Sequence, residues 1–179
     1  MTSEWTPGLS RRQAMLGLAA GACTGLAWAQ DSTEAALEAR APAMPALGTR
    51  LQLPDITLLD GSTFRAQAGQ PLLIYWWAST CPFCALQSPA MQALWQAQKS
   101  RGLKMVALSI DKTPDEARAY LHKRGYTFPA AWASAAWRRS FPKPKGLPIT
   151  LLLNRQQTLV LAEKGQMFAE DVEAIGQLI

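Results

Sequence analysis

The chain has 179 residues, 49% of them hydrophobic and 17% charged, with a net charge of +5. That is enough apolar material for one globular domain with a sizeable core. The mild basic excess forms no stripe of Lys and Arg interleaved with aromatics, so a nucleic-acid partner is excluded, and no second domain, internal repeat or low-complexity block is present.

Residues 1–29 read as an export signal. Arg11 and Arg12 form a positive start, Ala14 to Leu26 is an apolar run, and Ala27-Trp28-Ala29 is a small-x-small cleavage site. The run is shorter than the roughly 20 residues that span a bilayer, so cleavage after Ala29 is expected instead of anchoring. Ser10 to Leu16 is similar to a twin-arginine signal, with Ala14 where a large apolar residue is usual. An ordinary secretory signal fits as well. Lipid attachment at Cys23 is disfavoured, because Ala20-Gly21-Ala22 lacks the large apolar residue expected upstream. The expected location is the periplasm, where disulfides form and persist.

Residues 30–48 are Ala-rich and contain Pro42 and Pro45. They read as a linker with a short helix near Ser32 to Arg40, and residues 49–179 as the folded domain. Within it, Leu51 to Leu59 and Ser62 to Arg65 flank the turn dipeptide Asp60-Gly61, a hairpin signal. Leu72 to Ala78 is a short, wholly apolar run and reads as a buried strand. A helix follows from Pro82 to Arg101, kinked at Pro89 and ended by Gly102. Leu103 to Ile110 reads as a buried parallel strand. A helix starts with Thr113-Pro114-Asp115-Glu116 and stops at Gly125. Thr127 to Trp132 is a short strand and Ala135 to Phe141 a short helix. Ile149 to Leu153 and Thr158 to Ala162 form an antiparallel hairpin, and Ala169 to Leu178 the closing helix. This order predicts an α/β fold, a central mixed sheet with helices on both faces.

The chemistry lies where the first buried strand meets its helix, at Cys81-Pro82-Phe83-Cys84. A helix N-terminus presents unpaired N–H groups and partial positive charge, so a thiolate there is stabilised and nucleophilic near neutral pH. Cys81, at the start of the helix, is assigned as the attacking thiol. Cys84, one turn in, would resolve the mixed disulfide. A zinc site needs two further ligands, and the chain offers only Cys23 and His122 besides the pair. A purely structural disulfide would close too short a loop to restrain much chain. Neither a metal nor an organic cofactor is required.

Tyr75 to Cys84, with Gln87-Ser88-Pro89 after it, resembles the active-site segment of TlpA/ResA-type thioredoxin-like thiol–disulfide oxidoreductases. Lys145-Gly146-Leu147-Pro148-Ile149-Thr150 resembles the loop that holds a cis-proline against the redox pair. The resemblance runs from about Leu51 to the C-terminus. It implies a thioredoxin-like fold with an N-terminal hairpin and an inserted αβ unit over Asp111 to Trp132. It also implies that Pro148 is cis, that Leu147 offers its backbone to substrate, and that Trp77 packs beside the redox pair. Pro82 and Phe83, between the cysteines, would tune the potential. Clients would be protein disulfides or dithiols, recharged by a membrane thiol–disulfide electron donor.

Two residues depart from the family pattern. Thr80 stands where many relatives have Trp, leaving Cys81 more open. Gln87 stands where ResA-type reductases often carry a titratable Glu, which weakens a cytochrome c-maturation role more than the redox reading. With no cationic residue between the cysteines, reduction is the favoured direction. Two alternatives remain. A peroxiredoxin-type peroxidase is expected to need Thr three residues before the reactive Cys, where Ala78 stands. A dithiol copper- or haem-handling chaperone would use the soft sulfur pair as ligands, although the methionines are scattered. His122 is expected on an exposed helix face. Arg138, Arg139, Lys143 and Lys145 form a basic run that reads either as solvated surface or as a flank of the redox site favouring acidic clients.

Overall fold

The computed structural model describes residues 34–179. The signal-peptide, twin-arginine and Cys23 readings fall on residues outside that range. The first described element, α1 (34–39), is a short helix.

Strands β1 (Ile56–Thr57) and β2 (Thr63–Phe64) pair antiparallel, with Ile56 opposite Phe64. Their turn is built as the Asp60-Gly61 pair requires. Gly61 takes φ +89°, and Asp60 Oδ1 accepts from the Ser62 N–H at 2.8 Å and from its hydroxyl at 2.7 Å. The paired arms are shorter than expected because their flanks find other partners. Leu58 bridges to Ala131, Leu59 N–H donates to Ala130 O, and Leu51 N–H donates to Gln157 O. The hairpin is thereby tied to the edge of the main sheet.

That sheet contains β3 (Leu72–Trp77), β4 (Lys104–Ser109), β5 (Ala130–Trp132), β6 (Ile149–Leu153) and β7 (Leu159–Lys164), in the order β5-β4-β3-β6-β7. β3, β4 and β5 are mutually parallel, and β6 and β7 run antiparallel to their neighbours. β3 is central, and none of its six residues is more than 1% exposed. Its side chains alternate between two cores, as a period of two requires. Leu73, Tyr75 and Trp77 enter one core, and Leu72, Ile74 and Trp76 the other. Each such side chain contributes roughly 1.5–3 kcal/mol on burial, so β3 is the element that the others pack around.

The first core is closed by α2 (Pro82–Gln98), α3 (Pro114–Arg124) and α4 (Ala169–Ala174) through Met91, Leu94, Ala117, Leu121 and Val172. The second is closed by the hairpin, by Leu53 and by a 3₁₀ turn at Trp137–Arg139 leading to Phe141. There Trp76 stacks on Phe141, with centroids 6.2 Å apart and planes 11° from parallel. The helix expected over Ala135 to Phe141 is reduced to this turn. Trp137 is held instead by Ser134 Oγ, which accepts its N–H, and by Asp55 O, which accepts its indole N–H.

Helix boundaries follow the sequence signals. Thr113 Oγ1 caps α3 by accepting from Glu116 N–H, and Gly125 ends it at φ +68°. α2 passes into a 3₁₀ turn, Lys99–Arg101, which Gly102 ends at φ +96°. α4 is shorter than expected and likewise passes into a 3₁₀ turn, Ile175–Gln177.

Candidate active site

β3 ends at Trp77, and a three-residue connection, Ala78 to Thr80, leads to Cys81. The connecting turn is fixed at both ends. Cys81 N–H donates to Ala78 O at 3.1 Å. Ser79 gives both its N–H (2.8 Å) and its hydroxyl (2.7 Å) to Asp111 Oδ1, while Ser109 Oγ donates to Asp111 Oδ2 at 2.7 Å. Asp111 is only 6% exposed. It stands just past β4, so the parallel β3–β4 pairing brings it under the turn.

Cys81 is the N-cap of α2, with extended backbone (φ −84°, ψ 112°) and Pro82 in the first turn, where its missing N–H costs nothing. Cys81 Sγ accepts from Cys84 N–H at 3.1 Å. The two cysteines form a disulfide across a Cα–Cα distance of 5.2 Å. Cys81 is half-buried, Cys84 is fully buried, and Pro82 and Phe83 are exposed. One sulfur can therefore meet a partner and the other cannot. Thr80 is exposed beside them.

Beneath the pair lies a polar network inside the core. Tyr75 OH donates to Cys84 O at 3.2 Å and lies 3.1 Å from Ser88 Oγ, which itself donates to Cys84 O at 2.7 Å. Burial drives the Tyr75 pKa well above its ordinary value, and the Ser88 hydrogen bond offsets only part of that. The phenol is a neutral donor, not a base. Gln87, 1% exposed, spans three elements: Nε2 donates to Thr150 Oγ1 and Oε1 accepts from Met167 N–H, both at 2.9 Å. The amide thus links α2, β6 and the lead into α4.

Replacing Gln87 with Glu should expose this environment. Burial would raise the new carboxyl's pKa in the folded state. The folded protein then holds its proton above the unfolded value, so stability is greatest at low pH and falls as pH rises through that window. Denaturant titrations at pH 4 and pH 7 should show the variant losing about 1 kcal/mol or more relative to wild type over that interval. A pH-independent difference would count against it.

Trp77 is fully buried in the same core as Cys84 and lies 5.4 Å, centroid to centroid, from Tyr120. On β6, Ile149 pairs with Trp76, so Pro148 arrives level with the end of β3 that leads to Cys81. The Leu147–Pro148 peptide is cis, and Pro148 O accepts from Gly165 N–H at 2.8 Å. Leu147 is half-buried and packs against both cores. The topology thus brings Cys81, Cys84, Trp77, Leu147 and Pro148 to one end of the sheet. His122 is exposed on α3.

Of the two readings of the basic run, solvated surface holds only for part of it. Arg139 and Lys145 are exposed, but Arg138 and Lys143 are only 5% and 7% exposed. Both hold α1. Arg138 forms a two-pronged ion pair with Glu34, and Lys143 Nζ lies 2.9 Å from Glu38 Oε2. These two cations are therefore engaged within the chain and are not free to steer a client. Burial pushes the Glu38 carboxyl up, but hydrogen bonds from Lys143 and Gly146 and the charges of Lys143 and Lys145 outweigh it, leaving the pKa below its ordinary 4.5. Burial lowers the Lys143 pKa, with Glu38 opposing. A depressed carboxyl pKa gives stability that is full above 4.5 and is lost as pH falls through the folded value. The difference in unfolding free energy between wild type and Glu38→Gln should therefore shrink between pH 7 and pH 3. It should not exceed about 1 kcal/mol, because the carboxylate is partly exposed and screened.

Sequence reasoning missed Asp111, Tyr75, Glu34 and Glu38. Tyr75 carried a signal, since a phenol inside a wholly apolar strand must find a hydrogen-bond partner. The acids of α1 carried none, because their partners lie about a hundred residues away.

Residues 49–162 match the AhpC/TSA family. The thiol-disulfide oxidoreductase ResA of Halalkalibacterium halodurans is 24% identical over 123 residues, covering 68% of this chain and 70% of that one. The sporulation thiol-disulfide oxidoreductase A of Bacillus subtilis is 24% identical over 153 residues, covering 83% and 87%. Among solved structures, a thiol:disulfide interchange protein of the thioredoxin family from Chlorobium tepidum superposes with a TM-score of 0.67 at 19% identity, covering 75% of this chain and 97% of that one. The architecture is thioredoxin-like: a mixed five-stranded sheet, an added β-hairpin and flanking helices. With its redox-spaced cysteine pair at the N-cap of α2, the chain belongs to the AhpC/TSA family and is a homologue of ResA-type thiol-disulfide oxidoreductases.

Proposed function

We propose that this protein is an exported thiol–disulfide oxidoreductase that reduces disulfides of protein clients in the periplasm. The observation that carries the reading is the asymmetry of the pair: Cys81 half-buried at a helix N-cap, Cys84 fully buried one turn in, already joined as a disulfide.

In the reduced protein, the Cys81 thiolate attacks one sulfur of a client disulfide. The Cys81–client S–S bond forms, the client S–S bond breaks, and the other client sulfur leaves as a thiolate. Cys84, after losing its proton, attacks Cys81 Sγ. The Cys81–Cys84 bond forms, the mixed disulfide breaks, and the client departs with two electrons gained. The N–H groups of the first α2 turn, including that of Cys84, stabilise the Cys81 thiolate. Leu147 offers its backbone to an extended client segment beside Pro148. Trp77 closes the core behind the pair, and Pro82 and Phe83 form the exposed surface between the sulfurs. An external dithiol donor restores the reduced state. The signal read over residues 1–29 supports export.

The family also raises a peroxidase reading. That chemistry is expected to need a Thr three residues before the reactive Cys, where Ala78 stands. The two readings separate in one experiment. Pre-reduced protein is mixed in single turnover with an insulin disulfide or with hydrogen peroxide. Oxidation by insulin, with a peroxide rate no greater than that of a free thiol, supports the oxidoreductase. Peroxide oxidation faster by about a hundredfold or more would replace it with the peroxidase.

A further inference from the structure

Gly146 is held from both sides, by Glu38 far from it in sequence and by Lys143 three residues before it. Its N–H donates to Glu38 Oε1 at 2.7 Å, and its C=O accepts from Lys143 Nζ at 3.0 Å. Lys143 Nζ also donates to Pro144 O at 2.8 Å and pairs with Glu38 Oε2 at 2.9 Å. An ammonium has three N–H donors, and all three are used. Both Glu38 oxygens are used as well. Lys145 N–H adds a long bond of 3.4 Å to Pro42 O. The network therefore joins the segment of residues 38–42 to the loop that ends in Leu147 and Pro148.

The restraint falls where the backbone most needs it. Gly146 has φ +93°, a conformation open to glycine and costly to hold, and a Cβ there would stand 3.0 Å from Lys164 Cε. On its C-terminal side, Pro148 O is bound to Gly165 N–H. Leu147 lies between these two anchored residues, and among the described residues nothing bonds its N–H or C=O. A hollow of about 400 Å³ opens beside it, walled by Glu34, Glu38 and Lys143 as well as by Ala35, Ile110 and Leu147. An ammonium–carboxylate pair with the lysine buried and the glutamate partly exposed adds little net stability, so the network is better explained by the geometry it imposes than by the energy it returns.

We propose that Glu38 and Lys143 are positioning residues for client recognition: they fix Gly146 so that Leu147 presents its backbone to an extended client strand, which makes the C-terminal end of α1 a support of the client-binding loop. This rests on the proposed reduction of protein disulfides with Leu147 as the pairing residue. A small disulfide makes no strand and does not need the device.

The test uses the full chain with Cys23→Ser, so that one redox pair is observed. Pre-reduced wild type, Glu38→Ala, Glu38→Gln and Lys143→Met are each oxidised in single turnover by insulin over a range of concentrations, and separately by 5,5′-dithiobis(2-nitrobenzoate). Glu38→Ala and Lys143→Met should raise the half-saturating insulin concentration about five- to tenfold, with the limiting rate and the small-disulfide rate within about twofold of wild type. Glu38→Gln keeps an acceptor for Gly146 and should fall between. An unchanged half-saturating concentration in Glu38→Ala overturns the inference while leaving the function intact. So does a parallel loss with both oxidants, which would mean a general structural role. Wild type that reacts with neither oxidant overturns the functional reading itself. Should Lys143→Met fail to fold, Glu38→Ala decides alone, because its side chain is partly exposed.

Discussion

Replacing Cys84 with alanine will stop turnover and leave Cys81 joined to its client. In the intact protein the second step is intramolecular, with the two sulfurs held within one helical turn and Cys84 N–H on Cys81 Sγ. Well-oriented intramolecular attack corresponds to effective concentrations far above those of any thiol in solution. Release by millimolar external thiol should therefore be slower by about 10³-fold or more. Non-reducing gels and mass spectrometry will show a stable adduct, dissolved by dithiothreitol. Replacing Cys81 instead, in the Cys23→Ser chain, should give neither turnover nor adduct, because the one remaining cysteine, Cys84, is fully buried. A trapped adduct on Cys84 in that variant would reverse the assigned roles.

The second large effect is expected at Asp111. Its carboxylate accepts three hydrogen bonds, two from Ser79 and one from Ser109, and its backbone C=O accepts the Trp132 indole N–H at 2.7 Å. Truncation to alanine leaves the Ser79 N–H and two hydroxyls without that acceptor, with Ser109 fully buried and Ser79 half-buried. The cost should be about 2–4 kcal/mol, read as a lowered denaturant midpoint at unchanged slope. Asn keeps one acceptor oxygen for Ser79 and should cost about half as much. Because the Ser79 turn leads directly to Cys81, alanine should also alter Cys81 alkylation kinetics, whereas a destabilising change in the other core at the far end of the sheet, such as Leu153→Ala, should not. Equal alkylation profiles in the two variants would show that Asp111 supports only the fold.

How far each feature could be read from sequence follows from where its partners lie. β3 was legible because a six-residue run buried on both faces has to be apolar throughout. α2 was legible from local signals at both ends, Pro82 in its first turn and Gly102 closing the 3₁₀ extension. The cysteine pair was legible because its chemistry depends on a spacing of three residues and on the helix start. The hairpin turn was legible from Asp60-Gly61, but its strand lengths were not, since Leu58 and Leu59 are drawn to β5, about seventy residues away. The short helix over Ala135 to Phe141 failed because Trp137 and Phe141 pack on Trp76, and that tertiary contact overrides a weak local preference. Asp111 read only as the first residue of the inserted αβ unit, just past a strand ending at Ile110. Its role depends on Ser79, 32 residues earlier and adjacent only through parallel pairing of β3 with β4. Glu38 was hidden most deeply, since the Gly146 N–H it accepts lies 108 residues on, beyond any periodicity or capping rule.

The measurement that bears most directly on the central claim is the reduction potential of the Cys81–Cys84 pair, taken in the Cys23→Ser chain by equilibration with dithiothreitol or glutathione and thiol quantitation. A pair that closes reversibly with a potential near or below that of the thioredoxin class, about −270 mV, is the predicted result and supports a reductase fed by a stronger dithiol donor. A potential near about −120 mV would contradict the direction of electron flow and make the protein a disulfide donor. Failure of the pair to form an intramolecular disulfide under any poise would contradict the account as a whole.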